Sequence, residues 1–229
     1  TFHSIFLRFL RQYAELLGFP PGFTIYDKDD SKSLVKRCIK ELELDDSSYK
    51  PAEISSRISK AKNDFITPDS YVSNVQLMEA DRHAHKARIC EVYRLYQTRC
   101  VEQGAMDFDD IIFNTVKLLE ENEDVRDLYQ TQFKYVMVDE YQDTNYIQRD
   151  IVYSLAGENG NLAVVGDDDQ SIYMFRGAKP EIMLNFKKDY PNCKVIHMST
   201  NYRSLQEIIQ KADNLVQHNS QRFSKQFLG

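Results

Sequence analysis

The chain has 229 residues, of which 42% are hydrophobic, 12% aromatic and 28% charged, enough to bury a sizeable core in one or two domains. This excludes wholesale disorder and collagen-like composition, and a net charge of −6 argues against coating nucleic acid through a broad positive field. No apolar run is long enough to cross a membrane, and Thr1-Phe2-His3-Ser4 lacks the basic-then-apolar order of a signal peptide, so a soluble, cytoplasmic chain is expected. Cys38, Cys90, Cys100 and Cys193 are widely spaced and fit reduced thiols better than a disulfide framework. Residues 1–104 are nearly charge-balanced, and the acidic excess lies almost wholly in residues 105–229.

In chain order, Ile5 to Leu17 carries Phe6, Phe9, Leu10, Tyr13 and Leu16 at helical spacing, and Gly18-Phe19-Pro20-Pro21-Gly22 breaks it. Residues 31–104 read as purely helical. One stripe holds Leu34, Val35, Cys38 and Ile39, a second segment begins at Pro51, and a third, longer helix runs to Gly104. A further helix starts near Asp107, with Asp109 and Asp110 in the turn where the helix dipole favours negative charge. The grammar then changes. Residues 135–138, 162–165 and 194–198 are candidate buried strands separated by helices near 145–156 and 180–189, which predicts a parallel sheet. Ser204 with Glu207 predicts a capping box for the last helix.

Ligands gather beyond the carboxyl ends of parallel strands, and two acidic clusters fall there. Val138-Asp139-Glu140-Tyr141-Gln142-Asp143 follows the first strand. Adjacent acids at a strand end point apart, so one can hold a Mg2+ shell while its neighbour reaches an attacking water; a charged loop without a ligand is the plainer reading. The second cluster runs from Val165-Gly166-Asp167-Asp168-Asp169-Gln170 to Tyr173-Met174-Phe175-Arg176-Gly177-Ala178. Gln170 can donate or accept beside a terminal phosphate, and Tyr173 and Phe175 are either a core plug or a base-stacking platform. Arg203, in Asn201-Tyr202-Arg203-Ser204, can fork onto a phosphate or make a local salt bridge.

Together with Thr1-Phe2-His3-Ser4 and Asp107-Phe108-Asp109-Asp110, these blocks resemble, in order, the motifs of superfamily 1 DNA helicases of the UvrD/PcrA/Rep type. Asp-Glu-Tyr-Gln-Asp-Thr followed by Gly-Asp-x-x-Gln-Ser-Ile-Tyr-x-Phe-Arg-Gly-Ala is highly specific. The resemblance implies an α/β fold: a partial RecA-like P-loop NTPase domain with a parallel sheet plus an all-helical inserted subdomain. Residues 1–30 and 105–200 would form the first motor domain, 31–104 the insert, and 201–229 the start of the second motor domain. It also implies ATP and Mg2+ as cofactors, with Asp139 and Glu140 at the metal, Glu140 activating water, Gln170 coupling the γ-phosphate to nucleic acid and Arg203 contacting that phosphate. Phe2, His3, Tyr173, Phe175 and Arg176 would line single-stranded DNA. Phe175 stands where the family often has tryptophan.

No Gly-x-x-x-x-Gly-Lys-[Ser/Thr] occurs. The chain therefore reads as an internal portion of a helicase, expected to be inactive alone. Its parent is expected to couple ATP hydrolysis to 3′-to-5′ translocation and unwinding at single-strand/double-strand junctions, in repair or replication, with no membrane partner and unknown protein partners. The competing expectation is a helicase-like scaffold or nucleic-acid-binding module without a motor.

Overall fold

The computed structural model describes residues 1–158, 160–219 and 222–223. The side chain of Arg176, expected at the DNA, lies outside the described residues, as do residues 220–221 and 224–229 of the last expected domain. The chain divides into two compact units, residues 1–134 with 150–160, and residues 135–149 with 161–229.

In the first unit, helix α1 (Phe2–Tyr13) begins where the Thr1 hydroxyl accepts the Ser4 N–H at 3.3 Å. The chain tightens into a 3-10 turn over Ala14–Leu17 and stops at Gly18, whose φ of +80° a side chain would resist. Phe6, Phe9 and Leu10 are buried on the face that packs against α7 (Phe108–Glu121). Phe9 also stacks on Tyr129 of α8 (Glu123–Gln132), with centroids 3.9 Å apart.

Helices α2 (Lys28–Glu41), α3 (Pro51–Asn63), α4 (Pro68–Ser73), α5 (Val75–His83) and α6 (Ile89–Glu102) follow. The expected apolar stripes form their core: Leu34, Val35, Cys38 and Ile39 meet Ile54, Ile58, Val92, Tyr93 and Tyr96. The single long third helix of the sequence reading is instead three pieces. Asn74 ends α4 and caps α5 by accepting the Leu77 N–H at 3.1 Å, and His85, at φ +57°, closes α5. Amides and polar side chains that compete locally for backbone groups override the apolar period here. An unforeseen parallel bridge, β1 (Thr24–Ile25) on β2 (Ala105–Met106), brings the two ends of this helical stretch together.

At the centre of the unit sits a buried ion cluster. Lys62 of α3 is 1% exposed, and its ammonium lies 2.7 Å from both Asp107 and Asp110. Those two residues are the reciprocal cap of α7: Asp107 accepts the Asp110 N–H at 2.8 Å and Asp110 accepts the Asp107 N–H at 3.1 Å. The Tyr96 hydroxyl donates to Asp107 at 2.7 Å and the Gln97 amide to Asp110 at 3.2 Å. Burial opposes charge on Lys62, but the two carboxylates outweigh it and raise the ammonium's pKa. Burial likewise disfavours the Asp107 charge, yet Lys62 and the donated hydrogen bonds hold its pKa down, whereas burial and Asp107 together push Asp110 up.

In the second unit, β3 (Val136–Val138) and β4 (Leu162–Val164) pair in parallel, Val136 opposite Leu162 and Val138 opposite Val164. Helix α9 (Tyr146–Ala156) links them and contains the boundary between the units. Parallel pairing was expected; full burial was not met, since Tyr135, Met137 and Val165 are exposed. The third expected strand is absent. No backbone hydrogen bond among the described residues pairs 194–198 with another segment, and Val195, Ile196 and Met198 are exposed; an apolar run without a ladder is not a strand. The helix expected at 180–189 breaks at Asn185 into α10 (Pro180–Leu184) and α11 (Phe186–Asp189). The Ser204–Glu207 box does not form. Asn201 instead accepts the Arg203 and Ser204 N–H groups at 2.9 and 3.0 Å, and α12 (Gln206–Val216) starts beyond them.

Replacing Lys62 by Met should strand two carboxylates in the core and lower unfolding stability by about 3–5 kcal/mol. Both aspartates then prefer to bind a proton when folded, with pKa values raised above the unfolded one, so stability falls as pH rises through that window. Denaturant midpoints should show a smaller loss at pH 5 than at pH 8; equal losses would mean that the carboxylates are not shut away from water.

Candidate functional site

The site grows from the carboxyl ends of β3 and β4. Beyond the strands the ladder continues, with the Val165 N–H donating to Val138 at 2.8 Å and the Tyr141 N–H to Val165 at 2.9 Å, so both loops leave side by side. In the first loop, Asp139 and Glu140 are exposed, and an Asp139 carboxylate oxygen accepts the Glu140 N–H at 3.0 Å. Glu140 sits at φ 52°, ψ 43°, a left-handed conformation that costs a side-chain-bearing residue about 1–2 kcal/mol. Residues that hold it there include Tyr141, fully buried and packed edge-on to Phe186 at 5.7 Å, and Thr144, whose hydroxyl donates to the Tyr141 carbonyl at 2.7 Å.

Across from it, Asp167 caps a 3-10 turn (Asp168–Gln170), and the Gln170 amide donates back to the Asp167 carboxylate at 2.7 Å. Gln142, 1% exposed, joins the two loops. Its Nε2 donates to Glu140 Oε2 at 2.7 Å, and its Oε1 accepts the Asp167 N–H at 3.1 Å. Glu140 and Gln170 are thus brought together through Gln142 and Asp167. Gly166 makes room at this crossing: a Cβ there would lie 2.5 Å from Gln142 Oε1 and force the amide to shift.

The oxygen donors of the first loop suit a hard divalent cation. Asp139 is exposed beside Glu140, and Asp143 Oδ1 is buried with no hydrogen-bond partner among the described residues. Burial and then the Glu140 charge raise the Asp143 pKa, a cost that a cation would relieve. The Asp167, Asp168 and Asp169 carboxylates also cluster, within 4.8 Å of one another, but protein groups already occupy them. Arg222 donates to both Asp169 oxygens at 2.9 and 2.8 Å, and the Phe223 N–H donates to Asp168 at 2.8 Å.

Tyr173 and Phe175 lie in an exposed apolar run, Ile172 to Phe175, with Phe175 77% exposed and the two rings tilted at 6.1 Å. They are not a core plug. A 3-10 turn over Met174–Arg176, ended by Gly177 at φ +94°, presents them. Arg203 is exposed and makes no ion pair among the described residues, and no described hydrogen bond ties its side chain to either loop. Phe2 and His3 belong to the first unit. Phe2 packs on Phe6 at 5.6 Å and His3 on Phe108 at 5.2 Å; burial holds the His3 imidazole below its ordinary pKa against the pull of Asp109. Sequence reasoning passed over Gln142. The available signal was an amide two residues beyond a strand-end acid, facing a glycine that opens the next loop.

Two strand ends thus carry an acid pair and an amide turn, with exposed aromatic rings in the second loop. Residues 1–191 match the UvrD/REP helicase N-terminal domain, and the chain belongs to that family. Similar relatives include "ATP-dependent DNA helicase PcrA" of Leuconostoc citreum, 44% identical over 225 residues, covering 98% of this chain and 29% of the relative. The proteins of the same name from Staphylococcus epidermidis and Staphylococcus aureus are each 40% identical, over 228 and 225 residues, covering 98% of this chain and 30% of the relative. The chain therefore spans less than a third of the length of these relatives.

Proposed function

We propose that this chain is the part of an ATP-dependent DNA helicase that senses and hydrolyses nucleotide and grips single-stranded DNA. The observation that carries the reading is the hydrogen-bonded run from Glu140 through Gln142 and Asp167 to Gln170, which links an acid and a neutral amide across two neighbouring loops. In this reading residues 1–30 and 105–200 are the RecA-like, P-loop NTPase portion, with residues 31–104 as its helical insert and residues 201–229 opening the second motor domain. Mg2+, held by Asp139 with Glu140 beside it, would supply charge neutralisation at the phosphates of ATP. Glu140 takes a proton from the attacking water, Gln170 contacts the γ-phosphate and relays its state, and Arg203 forks onto that phosphate.

Tyr173 and Phe175 stack on unpaired bases, with Phe2, His3 and Arg176 along the strand. The exposure of both rings supports this, as does the familial match of residues 1–191. The phosphate-cradling loop is not in this sequence, so the isolated chain is expected to be inactive. A protein of the relatives' length carrying it is expected to move 3′ to 5′, to open single-strand/double-strand junctions and to act in the cytoplasm in repair or replication.

Both tests use such a full-length protein. Glu140→Gln should lower ATP turnover by about 10²–10⁴-fold while nucleotide binding persists; normal turnover would remove Glu140 from its role. Phe175→Ala should weaken single-stranded DNA binding by about 1–3 kcal/mol, read by fluorescence anisotropy of a labelled oligonucleotide, and unchanged affinity and unwinding would end the stacking assignment.

A further inference from the structure

We infer that Gln142 is a positioning residue that couples the Glu140 carboxylate to the Gly166–Gln170 loop, so that the base is aimed only when that loop is seated. The inference deepens the proposed function and rests on its assignment of Glu140. The chemistry needed at this point is unusual: one side chain must donate to a carboxylate at one end and accept a backbone N–H at the other. A primary amide does both without charge, from two atoms set side by side. Gln142 does so with Nε2 on Glu140 Oε2 at 2.7 Å and Oε1 on the Asp167 N–H at 3.1 Å. It is almost wholly buried, so water does not offer a substitute partner.

The far side of the link is equally constrained. Asp167, whose N–H Gln142 holds, accepts the Gln170 amide at 2.7 Å and the Asp169 N–H at 3.1 Å. The Gln142 carbonyl faces the Ser171 hydroxyl at 3.4 Å. Gly166 leaves the space that the Gln142 amide fills; an added Cβ would also approach the Tyr141 N and Met183 Sδ to 3.1 Å. A ligand that draws Gln170 away from Asp167 therefore acts on a loop whose next bond ends at the Glu140 carboxylate. An amide of this kind binds no substrate itself. Its effect appears in turnover rather than in nucleotide affinity.

The test compares Gln142→Glu, Gln142→Ala and Gly166→Ala in a protein of the relatives' length carrying this sequence. ATP turnover is measured with and without single-stranded oligothymidylate, beside binding of a fluorescent ATP analogue and thermal melting. Gln142→Glu is isosteric and still accepts the Asp167 N–H but repels Glu140. It should lower DNA-stimulated kcat by about 10- to 100-fold, with analogue affinity and the KM for ATP unchanged within about threefold. Gly166→Ala should lower kcat in the same way, and Gln142→Ala combined with Gly166→Ala should lose less than the product of the single losses, because the clashing partner is gone. Unchanged kcat in Gln142→Glu, or a kcat loss matched by an equal loss of analogue affinity, overturns the inference. Glu140→Gln in the same assay separates the two claims: if it keeps normal turnover, the reading of the site fails; if it abolishes turnover while Gln142→Glu does not lower kcat, the coupling role alone fails.

Discussion

The candidate site depends on two backbone hydrogen bonds just past the end of a short parallel ladder, from Val165 to Val138 and from Tyr141 to Val165. They bring two polar loops close enough for one buried amide to span them. Without that register, Glu140 and Gln170 would belong to separate turns, each solvated and each chemically ordinary. The left-handed backbone at Glu140 is the accompanying cost, offset by the burial of Tyr141 and the closed turn at Thr144. Strain of this size persists where neighbours over-determine it.

The first unit is organised by a different device. A lysine with no access to water is matched by two aspartates that double as a helix cap. One pair of carboxylates thus satisfies two N–H groups at the head of α7 and anchors α3 to it. Because Tyr96 and Gln97 of α6 complete the hydrogen bonds, three helices converge on one ammonium. Such a cluster contributes less net stability than an apolar plug would, but it specifies which helix meets which, since any other docking leaves a buried charge alone.

Much of this was legible in advance, and the misses share a cause. The stripe from Leu34 to Ile39, the strands at 136–138 and 162–164 and the loops after them follow from periodicity and from turn residues, which are local signals. The acid pair and the amide were visible for the same reason. Lys62 was not, because nothing in its own segment announces that two aspartates 45 and 48 positions later will enclose it. Gln142 escaped for a similar reason: its meaning lies in a partner loop, and in a glycine there that makes room. The run at 194–198 failed in the opposite direction, since its composition is strand-like but a ladder needs a second segment. At Ser204 a local signal was present and lost to a stronger local one, the Asn201 side chain.

The parallel bridge between Thr24–Ile25 and Ala105–Met106 has a broader consequence. The chain departs and returns at adjacent points, fastened further by the Tyr26 hydroxyl on Gln103 at 2.6 Å. A detour that starts and finishes one strand spacing apart, about 4.8 Å, can change its length or internal design without altering the span its host must bridge, and the entropy of closing it grows only slowly with size. Evolution or an engineer can exchange the loop of helices where the replacement keeps what meets the head of α7: a positive charge for the waiting pair of aspartates and the donors that Tyr96 and Gln97 supply to them.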